Sequence, residues 1–120
     1  MHPPVLTLLQ RLSCAIHDQH LEAALALWTD DAILVGTEED ELAVDGDIGD
    51  FLALTMNLGV RFRWEWQEPL VRQDGAIAWF YAAGTLCVEG VKPAPYRCSG
   101  VVREQQGQWR LALWHGAQPA

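Results

Sequence analysis

Hydrophobic residues in the first half of the chain recur every three or four positions. This spacing predicts one helix over 5–16 and a second over 21–28. Ala32–Val35 is a short apolar run typical of a strand. The acidic, glycine-containing segment 36–49 is predicted to be a loop with a brief strand at Leu42–Val44. Asp47 can cap a third helix, ending before Gly59, because its carboxylate can accept the free N–H groups of the first turn.

The hydrophobic period falls to two after Gly59. Phe62, Trp64 and Trp66 alternate with polar residues, which predicts a strand with one solvent-facing side at 61–67. Turn residues then bound three longer strands, at 76–88, 96–104 and 109–115. The run 76–88 is apolar on both faces, as in a central strand covered on both sides. Helices followed by a meander of strands predict an α+β fold, and 120 residues predict a single domain over 1–120.

Two of these strands carry large apolar side chains on both faces. Trp79 and Tyr81 alternate with Phe80, and in the last strand Leu113 neighbours Trp114. Helices packed on a sheet need to cover only one of its faces, so something else must cover the second. A second copy of the chain does this most simply, and the pattern therefore predicts a homodimer.

The formal net charge of -8 is concentrated in the predicted helical half. Arg11 is the only Lys or Arg before residue 61, against eleven acidic residues, whereas the strand half is close to neutral. An acidic protein repels phosphate groups, which argues against nucleic acids and anionic membranes as partners. No apolar run reaches the roughly 18 residues that cross a bilayer.

Cysteine usage and the N-terminus predict a cytoplasmic protein. Cys14, Cys87 and Cys98 are odd in number and widely spaced, so they are expected to be small buried hydrophobes rather than disulfide partners. The N-terminus lacks the basic start and apolar run of a secretory signal. No metal site is expected, because His17 and His20 lack a third ligand nearby. No glycine-rich phosphate loop or dinucleotide fingerprint is present, so no cofactor is expected.

Several short motifs resemble those of ketosteroid isomerases and SnoaL-like proteins. The first is the run Leu21–Ala32, which ends in Trp-Thr-Asp-Asp-Ala. The loop Gly36–Gly46, the turn and strand Asp74–Phe80 and the hairpin Tyr96–His115 are similar to one uncharacterised SnoaL-like branch. The resemblance to the nuclear transport factor 2-like superfamily spans nearly the whole chain. It implies a cone-shaped domain, usually dimeric, with three N-terminal helices packed on a curved antiparallel sheet around an apolar pocket.

The same resemblance argues against steroid isomerase activity. Ketosteroid isomerases use a tyrosine and a protonated aspartic acid to stabilise an enolate, and a second aspartate to move the proton. Aligned through Asp30-Asp31-Ala32, the tyrosine position falls on Leu12 and the base position on Gly36, while the late aspartic acid falls near Ser99 or Gly100. None of the three functional groups is present.

Two residues are candidates for polar chemistry. His115, at the end of the last strand, can act as a general base if it faces the pocket, or can be a strand-end histidine bonded to backbone or solvent. Arg97 can bind a ligand carboxylate, or can form a salt bridge with Glu41 or another acid of the loop. If Glu41 and Arg97 meet across the pocket mouth, both readings of Arg97 hold together.

Aromatic residues are candidates for the pocket wall. Trp64, Trp79, Trp114 and Tyr81 can line a flat pocket for an aromatic ligand, or can belong to the core and the dimer interface. Ser99 and Glu41 complete the set of candidate ligand contacts.

Three functions stay open at this point. The first is a domain that binds a small apolar or aromatic molecule. The second is a lyase, isomerase or cyclase that acts on a carbonyl compound with His115 as base. The third is a pure dimerisation module, whose cone would be filled by side chains. An enzyme needs a polar group within hydrogen-bond reach of a bound carbonyl, whereas a binding domain needs only the apolar cone.

Overall fold

Three helices pack on one face of a curved sheet in the computed structural model, which describes residues 3–38 and 40–119. The helices are α1 (Val5–His17), α2 (Leu21–Leu25) and α3 (Asp47–Met56). The strands are β1 (Trp28–Val35), β2 (Leu42–Val44), β3 (Phe62–Trp66), β4 (Leu70–Asp74), β5 (Ile77–Val88), β6 (Ala94–Gln105) and β7 (Gln108–Ala117). The predicted α+β fold, with its helices on a curved sheet, is confirmed.

The sheet has the order β2-β1-β7-β6-β5-β3, with β4 also paired to β5 beside β3. All pairs are antiparallel except β1 with β7, which run parallel because the chain crosses from one end of the sheet to the other between them. The long strands β5, β6 and β7 form the centre. Their register places every second side chain under the helices and the alternate ones on the opposite, outer face.

The second helix is shorter than its hydrophobic spacing predicts. It ends at Leu25, and Trp28 begins strand β1 instead of ending the helix. The N–H of Leu111 donates to the carbonyl of Leu27 at 2.7 Å, and Trp28 pairs with Leu111 in the parallel register. Sheet pairing and burial of the Trp28 ring therefore override the helical pattern of an isolated five-residue helix.

Two further local expectations are corrected. Asp47 is the first residue of α3 and makes no capping hydrogen bond; Gly46 occupies the cap position. Asp47 and Asp50 instead lie in the first turn, where their charges favour the positive end of the helix dipole. Strand β4 was not predicted, because Leu70–Asp74 shows little apolar alternation beyond Val71.

The two faces of strand β5 differ in their surroundings. Ala78, Phe80 and Ala82 are buried under the helices, whereas Trp79 is 48% exposed and Tyr81 is 42% exposed on the outer face. The expectation that this strand is covered on both faces is therefore wrong for the single chain. The helices cover one face, and the other carries the apolar side chains that the sequence pattern shows.

The three cysteines also differ in burial. Cys98 is buried, Cys87 is partly buried and Cys14 is exposed, and all three are free. The expectation that all three are buried holds for Cys98 and is wrong for Cys14, which lies on the solvent side of α1. Within 3–38 and 40–119, no helix combines the length and the apolar character needed to cross a membrane.

The side-chain hydroxyl of Ser13 links helix α1 to strand β3 through hydrogen bonds. Ser13 is buried, and its Oγ donates to the carbonyl of Trp64 at 3.0 Å and accepts from the N–H of Trp64 at 2.8 Å. Strand β3 pairs with β5 on one side, so these backbone groups of Trp64 face the helix. A single serine therefore satisfies the backbone N–H and carbonyl of Trp64, which point away from β5.

We expect Ser13→Ala to lower the free energy of unfolding by about 1–3 kcal/mol, because it leaves the N–H and carbonyl of Trp64 without partners. Thr7→Ala, at an exposed position of the same helix, is the control and should change stability by no more than about 0.5 kcal/mol. Urea unfolding of the three proteins measures both values. Equal stabilities for the two variants would show that the Ser13 bonds do not hold the helix to the strand.

Candidate functional site

A cavity of about 280 Å³ lies between the helices and the inner face of the sheet. Helix α1 contributes Leu12 and Ile16, helix α3 contributes Leu52 and Thr55, and the end of strand β5 contributes Leu86. The remaining walls are largely aromatic or aliphatic. The cavity is the space that remains between the packed helices and the inner face of the sheet.

Aromatic rings form one continuous wall of the cavity. The Trp64 ring lies 5.4 Å from Phe62, 5.6 Å from Tyr96 and 5.5 Å from Trp114, measured between ring centroids. Trp28 extends the wall, with its centroid 6.3 Å from that of Trp114. These separations and the edge-on or tilted geometries are those of favourable aromatic pairs. All five residues line the cavity.

Tyr96 brings a hydroxyl into this aromatic wall. The side chain is buried, and burial raises the pKa of its phenol well above the ordinary value. The neighbouring Cys98 raises this pKa further, hydrogen bonding from the Trp114 indole lowers it, and the charge of Glu41 makes the smallest contribution, which raises it. The phenol therefore keeps its proton near neutral pH and can donate a hydrogen bond within the cavity.

Gly116 makes the position of the Tyr96 hydroxyl possible. A Cβ at Gly116 would overlap that hydroxyl and would also crowd the indole nitrogen of Trp114. A residue without a side chain is therefore needed on β7, opposite Cys98 in the register.

Glu41 lies at the edge of the cavity, in the loop between β1 and β2. One carboxylate oxygen accepts a hydrogen bond from the backbone N–H of Glu38 at 2.9 Å, and the N–H of Gly36 donates to the Glu41 carbonyl at 2.8 Å. A Cβ at Gly36 would lie 2.7 Å from both the Cβ and the Oε1 of Glu41. The glycine thus lets the glutamate side chain fold against the end of β1.

Two of the candidate ligand contacts from the sequence, Trp64 and Glu41, line the cavity, together with Trp114. Strand β3 presents Trp64 inward, and the hydrogen bonds of the loop hold Glu41 at the rim. Leu12 and Gly36, which stand at two catalytic positions of ketosteroid isomerases, also line the cavity. Neither carries a group that can transfer a proton.

The other five candidates lie together on the outer face of the sheet. Tyr81, Ser99 and His115 are adjacent across β5, β6 and β7, and all three are exposed. Trp79 and Arg97 alternate with buried residues and occupy the same face. Glu41 and Arg97 therefore do not meet across the pocket mouth, and the described residues contain no ion pair between them.

Tyr96 is the site residue that the sequence pattern did not single out. It shares its alternation with Cys98 and Gly100, both buried on the inner face. This alternation would have predicted that Tyr96 lies in the cavity if the sequence had shown which face of β6 is buried. It did not, because the neighbouring strand β5 is apolar on both faces.

Other reactive groups in the described residues do not form a second centre. Burial raises the pKa of the Cys98 thiol well above its ordinary value, which disfavours the reactive thiolate. Outside the undescribed positions, no group of three or more His, Cys, Asp or Glu side chains is placed to hold a metal ion. The buried indole N–H groups of Trp28, Trp64 and Trp66 have no hydrogen-bond acceptor from the part of the chain that the structure describes.

Solved structures share this architecture at low sequence identity. A nuclear transport factor 2-like protein of unknown function from Pseudomonas putida has a TM-score of 0.83 and 17% identity, covering 96% of this chain and 84% of its own. A protein of unknown function with a cystatin-like fold from Nostoc punctiforme has the same TM-score and identity, covering 96% and 88%. An uncharacterised cystatin-like protein from Caulobacter vibrioides has a TM-score of 0.81 and 15% identity, covering 97% and 87%. At these identities the likeness shows the fold alone.

Sequence comparison gives the family directly. No curated protein matches the chain. The model of the SnoaL-like domain, in contrast, matches residues 5–120, from the start of helix α1 through the whole sheet and the cavity it encloses. The chain therefore belongs to the SnoaL-like domain family, and it shares its fold with the nuclear transport factor 2-like protein from Pseudomonas putida.

Proposed function

We propose that this domain binds a small, flat, largely apolar molecule in the cavity between its helices and sheet. The observation that carries the proposal is the continuous aromatic wall around about 280 Å³ of space, interrupted by few polar groups. Ligand sites are typically concave and apolar, with a few polar groups that fix orientation, and occupy roughly 300–1,000 Å³. A volume near the lower end suits a molecule of one or two fused rings.

Polar groups in the wall support a ligand with at least one polar atom. The Tyr96 hydroxyl can donate or accept a hydrogen bond. The indole N–H groups of Trp28 and Trp64 are buried donors without a protein acceptor in the described residues. A buried donor without a partner costs about 1–3 kcal/mol. A ligand acceptor that reached either indole would recover part of that cost, which favours occupation of the cavity.

The geometry gives less support to the two alternative functions, an enzyme with His115 as base and a pure dimerisation module. An enzyme with His115 as base requires the imidazole within hydrogen-bond reach of a bound carbonyl. The His115 side chain is exposed on the outer face of the sheet, with the inner-face residues of β7 between it and the cavity. A pure dimerisation module would have its cone filled by side chains. The space over Trp64 and Tyr96 favours binding instead.

Association of two copies is a second part of the proposal, and the outer face supports it. One register row crosses the sheet through Arg72, Trp79, Val101, Leu113, Ile33 and Val44. Trp79, Ile33 and Val44 are exposed large hydrophobics in this row. An apolar band that continues across five strands, from β5 to β2, can face its own copy about a two-fold axis. Aromatic residues with arginine beside them are typical of interface centres.

Thr55→Trp should abolish or weaken binding of a neutral aromatic probe, naphthylmethanol, by at least about tenfold, because the indole would occupy the cavity. Thr55 lies on α3 and lines the cavity. Leu54→Trp is the matched control, since it places the same ring one residue away on the same helix, at a position that is 70% exposed. Calorimetric titration of both variants and the unchanged protein measures the dissociation constants. Equal affinity in all three proteins would place the probe outside the cavity and contradict the proposal.

For the outer face, Trp79→Glu should convert a dimer into a monomer, because it replaces the largest and most exposed side chain of the apolar band with a charge. Val91→Glu is the control: it introduces the same charge at an exposed apolar residue in the turn between β5 and β6. Light scattering at a fixed protein concentration should give two chains for the unchanged protein and for Val91→Glu. A single-chain mass for the unchanged protein would overturn this part of the proposal.

A further inference from the structure

The cavity carries charge of one sign. Among the described residues that line it, Glu41 is the only acidic residue, and none is Lys, Arg or His. Its other polar contributions are the neutral groups of Thr37, Thr55, Tyr96 and Gln118 and the indole N–H groups of Trp28 and Trp64. A ligand carboxylate or phosphate would meet no cation there. Burying such an anion without a partner is costly, so the lining disfavours anionic ligands.

The carboxylate of Glu41 is held in a defined place. The backbone N–H of Glu38 binds Oε1, and the lack of a side chain at Gly36 leaves the space into which the Glu41 side chain folds. Glu41 and Tyr96 both line the cavity. The negative charge at the rim and the aromatic wall are therefore neighbours in the same site.

Aromatic faces favour positive charge. The face of each ring carries the negative part of its quadrupole, and a cation over Trp, Tyr or Phe within about 6 Å of the centroid is attracted to it. Trp28, Trp64, Tyr96 and Trp114 supply four such rings around the cavity, and Phe51 and Phe62 supply two more. Aromatic walls with an adjacent carboxylate are well suited to ammonium groups, which need both a counter-charge and an apolar surface.

We propose that the cavity selects an organic cation, an amine or quaternary ammonium compound with a flat apolar skeleton, with its charged group beside Glu41. The proposal rests on the proposed function, since it specifies the charge of the molecule that the cavity binds. The apolar skeleton packs on the wall around Trp64 and Trp114. The ammonium group lies between the Glu41 carboxylate and the nearest ring faces.

The distribution of charge over the surface supports the same choice. Ten of the eleven acidic residues before residue 61 lie in the part of the chain that the structure describes, and Arg11 is the only Lys or Arg there. The loop that carries Glu41 also carries Glu38 and Asp40. A rim of negative charge raises the local concentration of cations and lowers that of anions.

Three probes with one skeleton test the proposal: naphthylmethylammonium, naphthylmethanol and naphthoate. We expect the ammonium compound to bind about tenfold more tightly than the alcohol, and naphthoate to bind more weakly than either. Glu41→Gln should remove that tenfold preference, so that the ammonium compound and the alcohol bind this variant with dissociation constants within about twofold of each other. Glu38→Gln is the matched control, because it removes one charge from the same loop at an exposed side chain outside the cavity. Calorimetric titrations give all nine dissociation constants.

The outcomes separate this proposal from the one on which it rests. If the alcohol binds as tightly as the ammonium compound, or naphthoate binds best, the cavity binds aromatic molecules but the proposed selection for cations is wrong. If Glu38→Gln weakens ammonium binding as much as Glu41→Gln does, the preference is a general effect of surface charge and the assigned role of Glu41 is wrong. If none of the three probes binds, both the proposed binding function for flat aromatic molecules and the selection for cations are overturned. Retained alcohol binding in Glu41→Gln shows that the variant is folded.

Discussion

The position of Trp64 is the constraint on which the cavity depends. Its backbone is bound to the buried hydroxyl of Ser13 on α1, and its ring contacts the rings of Phe62, Trp66, Tyr96 and Trp114. Strand β3 is at the edge of the sheet, where unpaired backbone groups would otherwise face the helix or solvent. The serine satisfies these groups and fixes the distance between α1 and the sheet. The cavity lies beside this junction, since Leu12 and Ile16 of α1 line it together with the Trp64 ring.

Absent side chains shape the site as much as present ones. Gly116 leaves room for the Tyr96 hydroxyl, Gly36 leaves room for the Glu41 side chain, and a Cβ at Gly100 would overlap the carbonyl of Leu113. In each case a backbone without Cβ allows a close approach that any other residue would prevent. The polar groups of the cavity therefore depend on glycines that make no contact through a side chain of their own. This explains why an inventory of polar residues in the sequence identifies the site only in part.

The hydrophobic period was sufficient to predict that helices precede the long strands and where most of these elements lie, because amphipathic spacing reflects which face of an element is buried. It failed at Trp28, where pairing of β1 with β7 depends on a residue more than eighty positions away. It also could not assign the two faces of β5 and β6, since Trp79 and Phe80 are both large and apolar although one is exposed and the other buried. The prediction of Trp64 and Glu41 as cavity residues agrees with their positions, whereas Tyr81, Ser99 and His115 share the outer face. Assigning the faces requires the three-dimensional packing of the helices, which no local pattern contains.

Alternation along the central strands allows the two faces of the sheet to vary independently. Neighbouring residues of β6, such as Tyr96 and Arg97, point to opposite sides, so the cavity and the outer face use different side chains of the same strand. A substitution at an outward position leaves the cavity lining unchanged, provided that the register holds. Register is strongly determined here because a shift by one residue would expose Tyr96 and Cys98 and bury Arg97. Two chains with this fold can therefore differ in one face and agree in the other, and what a cavity can hold must be inferred from its lining, not from the fold. In this chain that lining combines aromatic rings with a single carboxylate, and it is this combination that favours a cation.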